Sequence, residues 1–161
     1  VENNTEIARG SVGVHIWEIA GPFFARRLRR RAMFRTQAGA HTPVLWTRGK
    51  GVVGRCWISD EKDQLTDLAE LQAYATTEDR FCALEPRERF NLTWSEFQAA
   101  KQYNLIWVTK LYRGQGDAPK LKGLLSVDVE GRGHADELAK ALTTHKAAVR
   151  ALLDMCEQLL A

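Results

Sequence analysis

The sequence is poor in the features that mark disulfide-stabilised, zinc-binding and membrane-spanning proteins. Its 161 residues contain three cysteines, Cys56, Cys82 and Cys156. An odd number at wide spacing provides neither a disulfide framework nor a zinc signature. No apolar run reaches the roughly 18 residues needed to cross a bilayer, and no signal peptide is visible. We therefore expect a cytoplasmic protein with reduced thiols.

Excess charge and clustered histidines are also missing. Lys and Arg number 23 against 20 Asp and Glu, and the resulting charge of +3 does not by itself imply a nucleic-acid partner. The four histidines are scattered, and none has a serine or cysteine nucleophile at a recognisable spacing. His15 is expected on a strand face with a hydrogen-bond partner. His41 and His134 suggest no site, and neither a metal nor a named cofactor is expected.

The length favours one domain, which we place at residues 10–161 after a tail or helix start at residues 1–9. Alternating or β-branched segments predict strands at 11–19, 31–37, 104–113 and 121–129. The last two flank the turn sequence GQGDAP and are expected to form a hairpin. Residues 23–31 are compatible with a loop, a helical turn or the start of a strand.

Three short helices are predicted between these strand pairs. One covers residues 51–58 and is entered through glycines. A second covers 63–72, where leucines recur every three residues. A third covers 94–102 and follows a capping box that begins at Thr93. Residues 75–92 are expected to be irregular.

A single long helix is predicted over residues 134–160. Its larger side chains alternate in steps of four and three, as in a coiled-coil seam, and this seam includes His145 and Cys156. We expect a homodimer through this helix; a helix packed on the core is the alternative. The dimer residues would be Leu138, Leu142, Val149, Leu152 and Leu159. These elements predict an α+β (mixed α/β) fold, a central antiparallel sheet flanked by helices with a long C-terminal helix.

Two glycine-containing motifs give the chain its resemblance to a known family. The first is Gly49-Lys50-Gly51-Val52-Val53-Gly54, which leads into a short helix. The second is Gly123-Leu124-Leu125-Ser126-Val127-Asp128, a strand followed by the closing helix. With the early strand SVGVHIWEI, their order and spacing resemble a GAF domain over nearly the whole chain.

The resemblance implies a sensory or regulatory domain in a larger bacterial signalling protein. Such a domain binds a small molecule, here between the sheet and segment 40–100, or serves in dimerisation. The residue sets of the cyclic-nucleotide-binding, bilin-binding and haem-binding members are absent. The ligand is therefore not named by the sequence.

Five residues are candidates for the ligand pocket. Trp46, Cys56 and Trp57 flank or lie in the glycine turn, where aromatic walls with a few polar groups would form a pocket. The alternative is that Cys56 and Trp57 are core residues on the short helix. Ser126 and Asp128 share one strand face, which either lines the cavity or faces solvent.

A thiol-dependent enzyme is an alternative function. Some GAF-like proteins reduce free methionine sulfoxide with cysteines near the pocket, and Cys56 with Cys82 would have to act as attacking and resolving thiols. Arg55 is placed to lower the pKa of its neighbour. Structural thiols are the simpler interpretation.

An arginine-rich run is the sharpest charge feature of the sequence. Flanked by Phe23, Phe24 and Phe34, it has the composition of a surface that binds the phosphates of lipids or nucleic acids. The phenylalanines would suit a membrane surface or stacking on nucleic-acid bases. The alternative is a solvated face paired with acidic residues. The arginines concerned are Arg26, Arg27, Arg29, Arg30 and Arg31.

Overall fold

A five-stranded antiparallel sheet organises the described part of the chain. The computed structural model describes residues 12–35, 44–113, 119–130 and 135–160. The tail at 1–9, His41 and His134 lie outside these ranges. The sheet order is β2-β1-β5-β4-β3. The strands are β1 Val12–Ala20, β2 Arg27–Arg35, β3 Asp63–Asp67, β4 Tyr103–Arg113 and β5 Lys120–Glu130.

Helices cover both faces of this sheet, which confirms the α+β class. The helices are α1 Gly51–Ile58, α2 Ala69–Tyr74, α3 Glu78–Ala83, α4 Trp94–Ala100, α5 Ala135–Thr144 and α6 Lys146–Leu159. The segment with α1 to α4 packs on one face, around Trp17, Val108 and Leu124. The helices α5 and α6 pack on the other, around Trp107 and Leu125. Among the described residues, no helix is long and apolar enough to cross a membrane.

Residues 23–31, which were compatible with a loop, a helical turn or the start of a strand, form a short turn and the first part of β2. A single 3-10 turn, Phe23–Ala25, follows β1, and the strand begins at Arg27. Ile16 pairs with Ala32 but Trp17 pairs with Arg30, so Arg31 is an extra residue in β2. Such a bulge changes which side chains share a face. It places Arg30 on the same side of the sheet as Arg35, although the two are an odd number of positions apart.

The helix predicted over 63–72 is wrong in its first half. Residues Asp63–Asp67 form β3, which pairs with β4 at the edge of the sheet. The N–H of Leu68 donates to the carbonyl of Asn104, and a helix starts only after it. Pairing with a neighbouring strand therefore outweighs the three-residue leucine spacing, which ran across an element boundary.

The region 75–92, expected to be irregular, contains α3. Thr77 caps it by accepting a hydrogen bond from the Arg80 N–H at 3.4 Å. The capping box predicted at Thr93 is confirmed and begins α4. Phe81 is fully buried and stacks on Phe97, with ring centroids 4.8 Å apart. This aromatic contact joins the two short helices.

The C-terminal segment, predicted as one helix, is two consecutive helices. His145 interrupts them with φ −105° and ψ 39°. Along the two helices the buried side chains Leu138, Leu153, Cys156 and Leu160 pack on the sheet. The residues of the predicted dimer seam therefore fall into two groups. Leu138, Leu142 and Val149 contact the chain's own core, as the core-facing alternative predicted, whereas Leu152 and Leu159 are exposed.

Candidate functional site

A cavity of about 260 Å³ lies between the sheet and α1. Its floor is the face of β1, β2 and β5 on which the bulge places Arg30 and Arg35. Its roof comes from α1 and residues 44–46, and its rim from the end of α4 and the start of β4. The lining residues are His15, Trp17, Leu28, Arg30, Met33, Arg35, Val44, Trp46, Val52, Val53, Ala100, Tyr103, Ile106, Ser126 and Asp128.

One wall of the cavity is a buried charged network centred on Asp128. Its Oδ2 lies 2.7 Å from Nε2 of His15, and its Oδ1 accepts a hydrogen bond from Arg35 Nη2. Arg35 also donates to Glu130 through Nη1 and lies 5.1 Å from the ring centroid of Tyr103. Burial opposes the charge on Arg35, but Asp128, Tyr103 and Glu130 more than compensate and raise its pKa. The guanidinium is therefore charged in the folded protein.

Gly13 makes this network sterically possible. It pairs with Asp128 on one side and with Arg35 on the other, so it sits directly beneath their contact. A methyl group at this position would lie 2.7 Å from Asp128 Oδ1, closer than real Cβ atoms come to their neighbours. The side chains of the two outer strands meet above the central strand because its residue has none.

One ring nitrogen of His15 has no partner within the ranges that the structure describes. Because a carboxylate held by an arginine is an acceptor, Nε2 is the nitrogen that donates to Asp128. Nδ1 is buried and has no hydrogen-bond partner among the described residues. The ring stacks on Trp17 at 5.7 Å, and Trp17 Nε1 donates to Ser126 Oγ at 2.9 Å. An unpaired nitrogen on a cavity wall is a site for a ligand hydrogen bond.

The opposite wall is apolar and depends on the glycine turn. Gly51 has φ +64°, and a methyl group there would overlap the indole ring of Trp46. Trp46 in turn meets Trp17 edge to face, with centroids 6.3 Å apart. The turn is tied to its surroundings by Lys50, whose Nζ lies 2.7 Å from Glu96 Oε1. The motif thus holds Trp46 and Val53 against the cavity.

The structure separates the five predicted pocket residues into two groups. Trp46, Ser126 and Asp128 line the cavity. Cys56 and Trp57 do not: both are buried in the adjoining core, where Cys56 Sγ lies 3.8 Å from the Val108 carbonyl oxygen. Burial raises the pKa of Cys56 to about 11, so Arg55 does not activate this thiol.

Two residues that complete the site, His15 and Arg35, were not predicted as cavity residues. His15 was expected to have a hydrogen-bond partner on a strand face, and this is confirmed, but its place at a cavity was not predicted. Arg35 lies beyond the arginine-rich run, and nothing in the sequence connects it to Asp128. Pairing between distant strands had to be known to find both residues, and Arg35 depended in addition on the bulge in β2.

The arginine run does not form one continuous surface. Arg29 lies 2.6 Å and Arg31 3.5 Å from the carboxylate of Glu18. The hydrogen bond from Arg29 lowers the pKa of Glu18. Arg30 lines the cavity instead. Arg26 and Arg27 are exposed, and the guanidinium of Arg26 lies 5.4 Å from the ring centroid of Phe23.

The chain was compared with protein families, curated proteins and solved structures. No protein-family model, no curated protein and no solved structure matches the chain. Within the ranges that the structure describes, no three His, Cys, Asp or Glu side chains are grouped as metal ligands.

Proposed function

We propose that this chain is a GAF-like sensory or regulatory domain that binds a small organic molecule in the cavity, and that it is not an enzyme. The observation that carries the proposal is the Nδ1 of His15, which lies at the wall of a cavity and has no hydrogen-bond partner in the described part of the chain. The two motifs behind the resemblance support it as well. The glycine turn forms the roof of this cavity, and the second motif supplies Ser126 and Asp128 to its floor.

The walls define the chemistry of the ligand. At about 260 Å³ the cavity is slightly smaller than those that hold drug-sized molecules, so the ligand is small. Trp17, Trp46 and Val53 favour an apolar, planar body. A hydroxyl or N–H group on its edge would donate to His15 Nδ1. Because Asp128 and Arg35 already neutralise each other, this pair does not favour a strongly charged ligand.

Strand β5 offers a route from the cavity to the C-terminal helices. Its residues alternate between the two faces, so Ser126 and Asp128 line the cavity while Leu125 and Val127 belong to the core cluster that includes side chains of α5 and α6. The backbone N–H of Tyr112 donates to Glu157 of α6 at 3.2 Å, which ties that helix to the sheet. In the proposed mechanism, ligand binding biases the position of these helices.

A homodimer remains part of the proposal, with a narrower surface than the predicted seam. Leu152 and Leu159 are exposed on α6, and Met155 lies between them with 63% of its surface accessible. Residues spaced in this way share a helix face. This face would meet its counterpart in a second copy and would transmit the signal to the rest of a larger bacterial protein.

The thiol chemistry of a methionine sulfoxide reductase is less well supported than binding. Cys56 lies outside the cavity lining, and its raised pKa keeps it protonated near neutral pH. Cys82 is exposed, and all three cysteines are free thiols. Free thiols are the usual state in a reducing compartment and support the proposed cytoplasmic location.

Native mass spectrometry of the purified protein tests the binding function. The comparison is with Val53→Phe, which adds a ring to the cavity wall, and with Val149→Phe, which adds the same ring on α6. Both variants must first give the circular dichroism of the folded protein. We expect an extra mass on the wild type and on Val149→Phe that Val53→Phe loses. An extra mass retained equally by Val53→Phe would contradict binding in this cavity.

A further inference from the structure

Two adjacent aromatic rings project from the turn between β1 and β2. Phe23 is 83% and Phe24 89% exposed, the highest values of any large apolar side chain described. Their turn buries none of its residues, and it is closed by the Ala25 N–H, which donates to the Pro22 carbonyl at 2.9 Å. Exposure of single apolar residues is common, but these two neighbouring phenylalanines at the tip of a hairpin bury little of their surface against the fold.

The sheet topology brings basic side chains from a second hairpin to this same end. Strand β5 runs antiparallel to β1, with Gly123 opposite Glu18, so the start of β5 lies beside the end of β1. Arg113 pairs with Lys120 in the neighbouring strand. We call this end of the sheet the basic tip. It comprises Phe23, Phe24, Arg26, Arg27, Arg113, Lys120 and Lys122.

Within the described part of the chain, the charge of the basic tip is left largely uncompensated by nearby acids. Glu18, the acidic residue at this end of β1, is already occupied by Arg29 and Arg31. Among the described residues, no ion pair involves Arg26 or Arg27. The tip therefore combines a projecting apolar apex with cationic side chains from the adjoining ends of β2, β4 and β5.

We propose that the basic tip docks on an anionic lipid bilayer, with Phe23 and Phe24 inserted among the headgroups and acyl chains. Aromatic side chains at an interface, backed by cations near anionic headgroups, are the two signals that give stable peripheral binding. The rings extend from a turn instead of lying on a flat sheet or in a groove, and this shape suits insertion. Arg26 already covers one face of Phe23, which leaves that ring poorly placed to stack on a nucleic-acid base.

Cosedimentation of the full chain with vesicles tests this surface. We expect binding to vesicles of phosphatidylcholine with 30% phosphatidylserine and little binding to phosphatidylcholine alone. The variant Phe23→Ala/Phe24→Ala should lower the partition coefficient at least tenfold. Phe34→Ala is the matched control, because Phe34 is 67% exposed but pairs with Val14 at the far end of β2. It should bind like the wild type.

A second pair of variants isolates the charge. Arg26→Gln/Arg27→Gln should weaken binding at least tenfold and flatten its salt dependence. Arg80→Gln/Arg87→Gln removes the same charge from exposed positions in and after α3 and should change binding little. Equal binding to both vesicle types, or equal losses in the tip and control variants, would overturn the proposal. So would tighter binding to a single-stranded oligonucleotide than to vesicles. None of these results depends on whether the cavity holds a ligand.

Discussion

His15 and Asp128 meet in the interior with 2.7 Å between Nε2 and Oδ2, although they are 113 residues apart in the sequence. The second carboxylate oxygen of Asp128 binds Arg35, so one side chain joins three neighbouring strands. This arrangement fixes which nitrogen of His15 is left for a ligand. It also makes the stability of the sheet and the chemistry of the cavity depend on the same residue.

Replacing Asp128 tests whether the buried network stabilises the sheet. Asp128→Ala leaves Arg35 and His15 buried beside an empty site, and breaking a buried pair in this way costs about 3–5 kcal/mol. Because Glu130 still holds Arg35, we expect a loss near the lower end, ~3 kcal/mol, in urea unfolding. The exposed Arg150–Asp154 pair is the control, and Asp154→Ala should cost under ~1 kcal/mol. Equal losses in the two variants would contradict the buried network.

Two features are predicted to require glycine at position 51: its left-handed backbone conformation and the Trp46 ring beside it. Gly51→Ala places a Cβ in the left-handed region and against the Trp46 ring, and the backbone term alone costs roughly 1–2 kcal/mol. The steric term should be relieved in Gly51→Ala/Trp46→Ala. A double-mutant cycle on unfolding free energies should therefore show coupling above ~0.5 kcal/mol. Strict additivity would mean that the glycine and the indole do not touch.

The three cysteines are predicted to differ sharply in reactivity. Burial raises the pKa of Cys56 to about 11 and also raises that of Cys156, whereas Cys82 is exposed. With a pKa near 11, roughly one Cys56 thiol in a thousand is ionised at pH 8. A disulfide reagent should modify one thiol per chain quickly in the native state and three after denaturation. Rapid modification of Cys56 in Cys82→Ser would instead revive the redox alternative.

The two sides of α6 should respond differently to truncation. Leu153 is 8% exposed and packs on the sheet, so Leu153→Ala should cost about 2–5 kcal/mol. Leu159 is 63% exposed, and Leu159→Ala should leave chain stability nearly unchanged but shift the mass in solution from dimer to monomer. Light scattering gives the mass. A wild type that is monomeric at high concentration would contradict the proposed homodimer.

The sequence predicted the elements whose signals are local and failed where tertiary pairing decides. The strand at Tyr103–Arg113 is rich in β-branched and aromatic residues, and the capping box at Thr93 is a contiguous pattern; both are confirmed. The leucines at 65, 68 and 71 looked periodic, yet Leu65 belongs to an edge strand held by its partner. His145 gave no sign that a continuous helical pattern would be interrupted there.

The same contrast between local signals and tertiary pairing explains why only part of the site could be predicted. Trp46, Ser126 and Asp128 could be named because they belong to or flank motifs with a known architecture. The Arg35–Asp128 contact spans 93 residues and depends on a bulge at Arg31, and neither has a signature in residue types. Cys56 and Trp57 were named from proximity to the glycine turn. The geometry of α1 turns Val52 and Val53 toward the cavity, whereas it turns Cys56 and Trp57 toward the core.

A fragment screen by ligand-observed NMR tests the central claim most directly. Small planar molecules carrying a hydroxyl or N–H group would be offered at millimolar concentration to the wild type, Val53→Phe and Val149→Phe. We predict that several bind the wild type and Val149→Phe, that Val53→Phe loses them, and that bound fragments shift the imidazole signals of His15. If no fragment distinguishes the wild type from Val53→Phe, the cavity is not a ligand site.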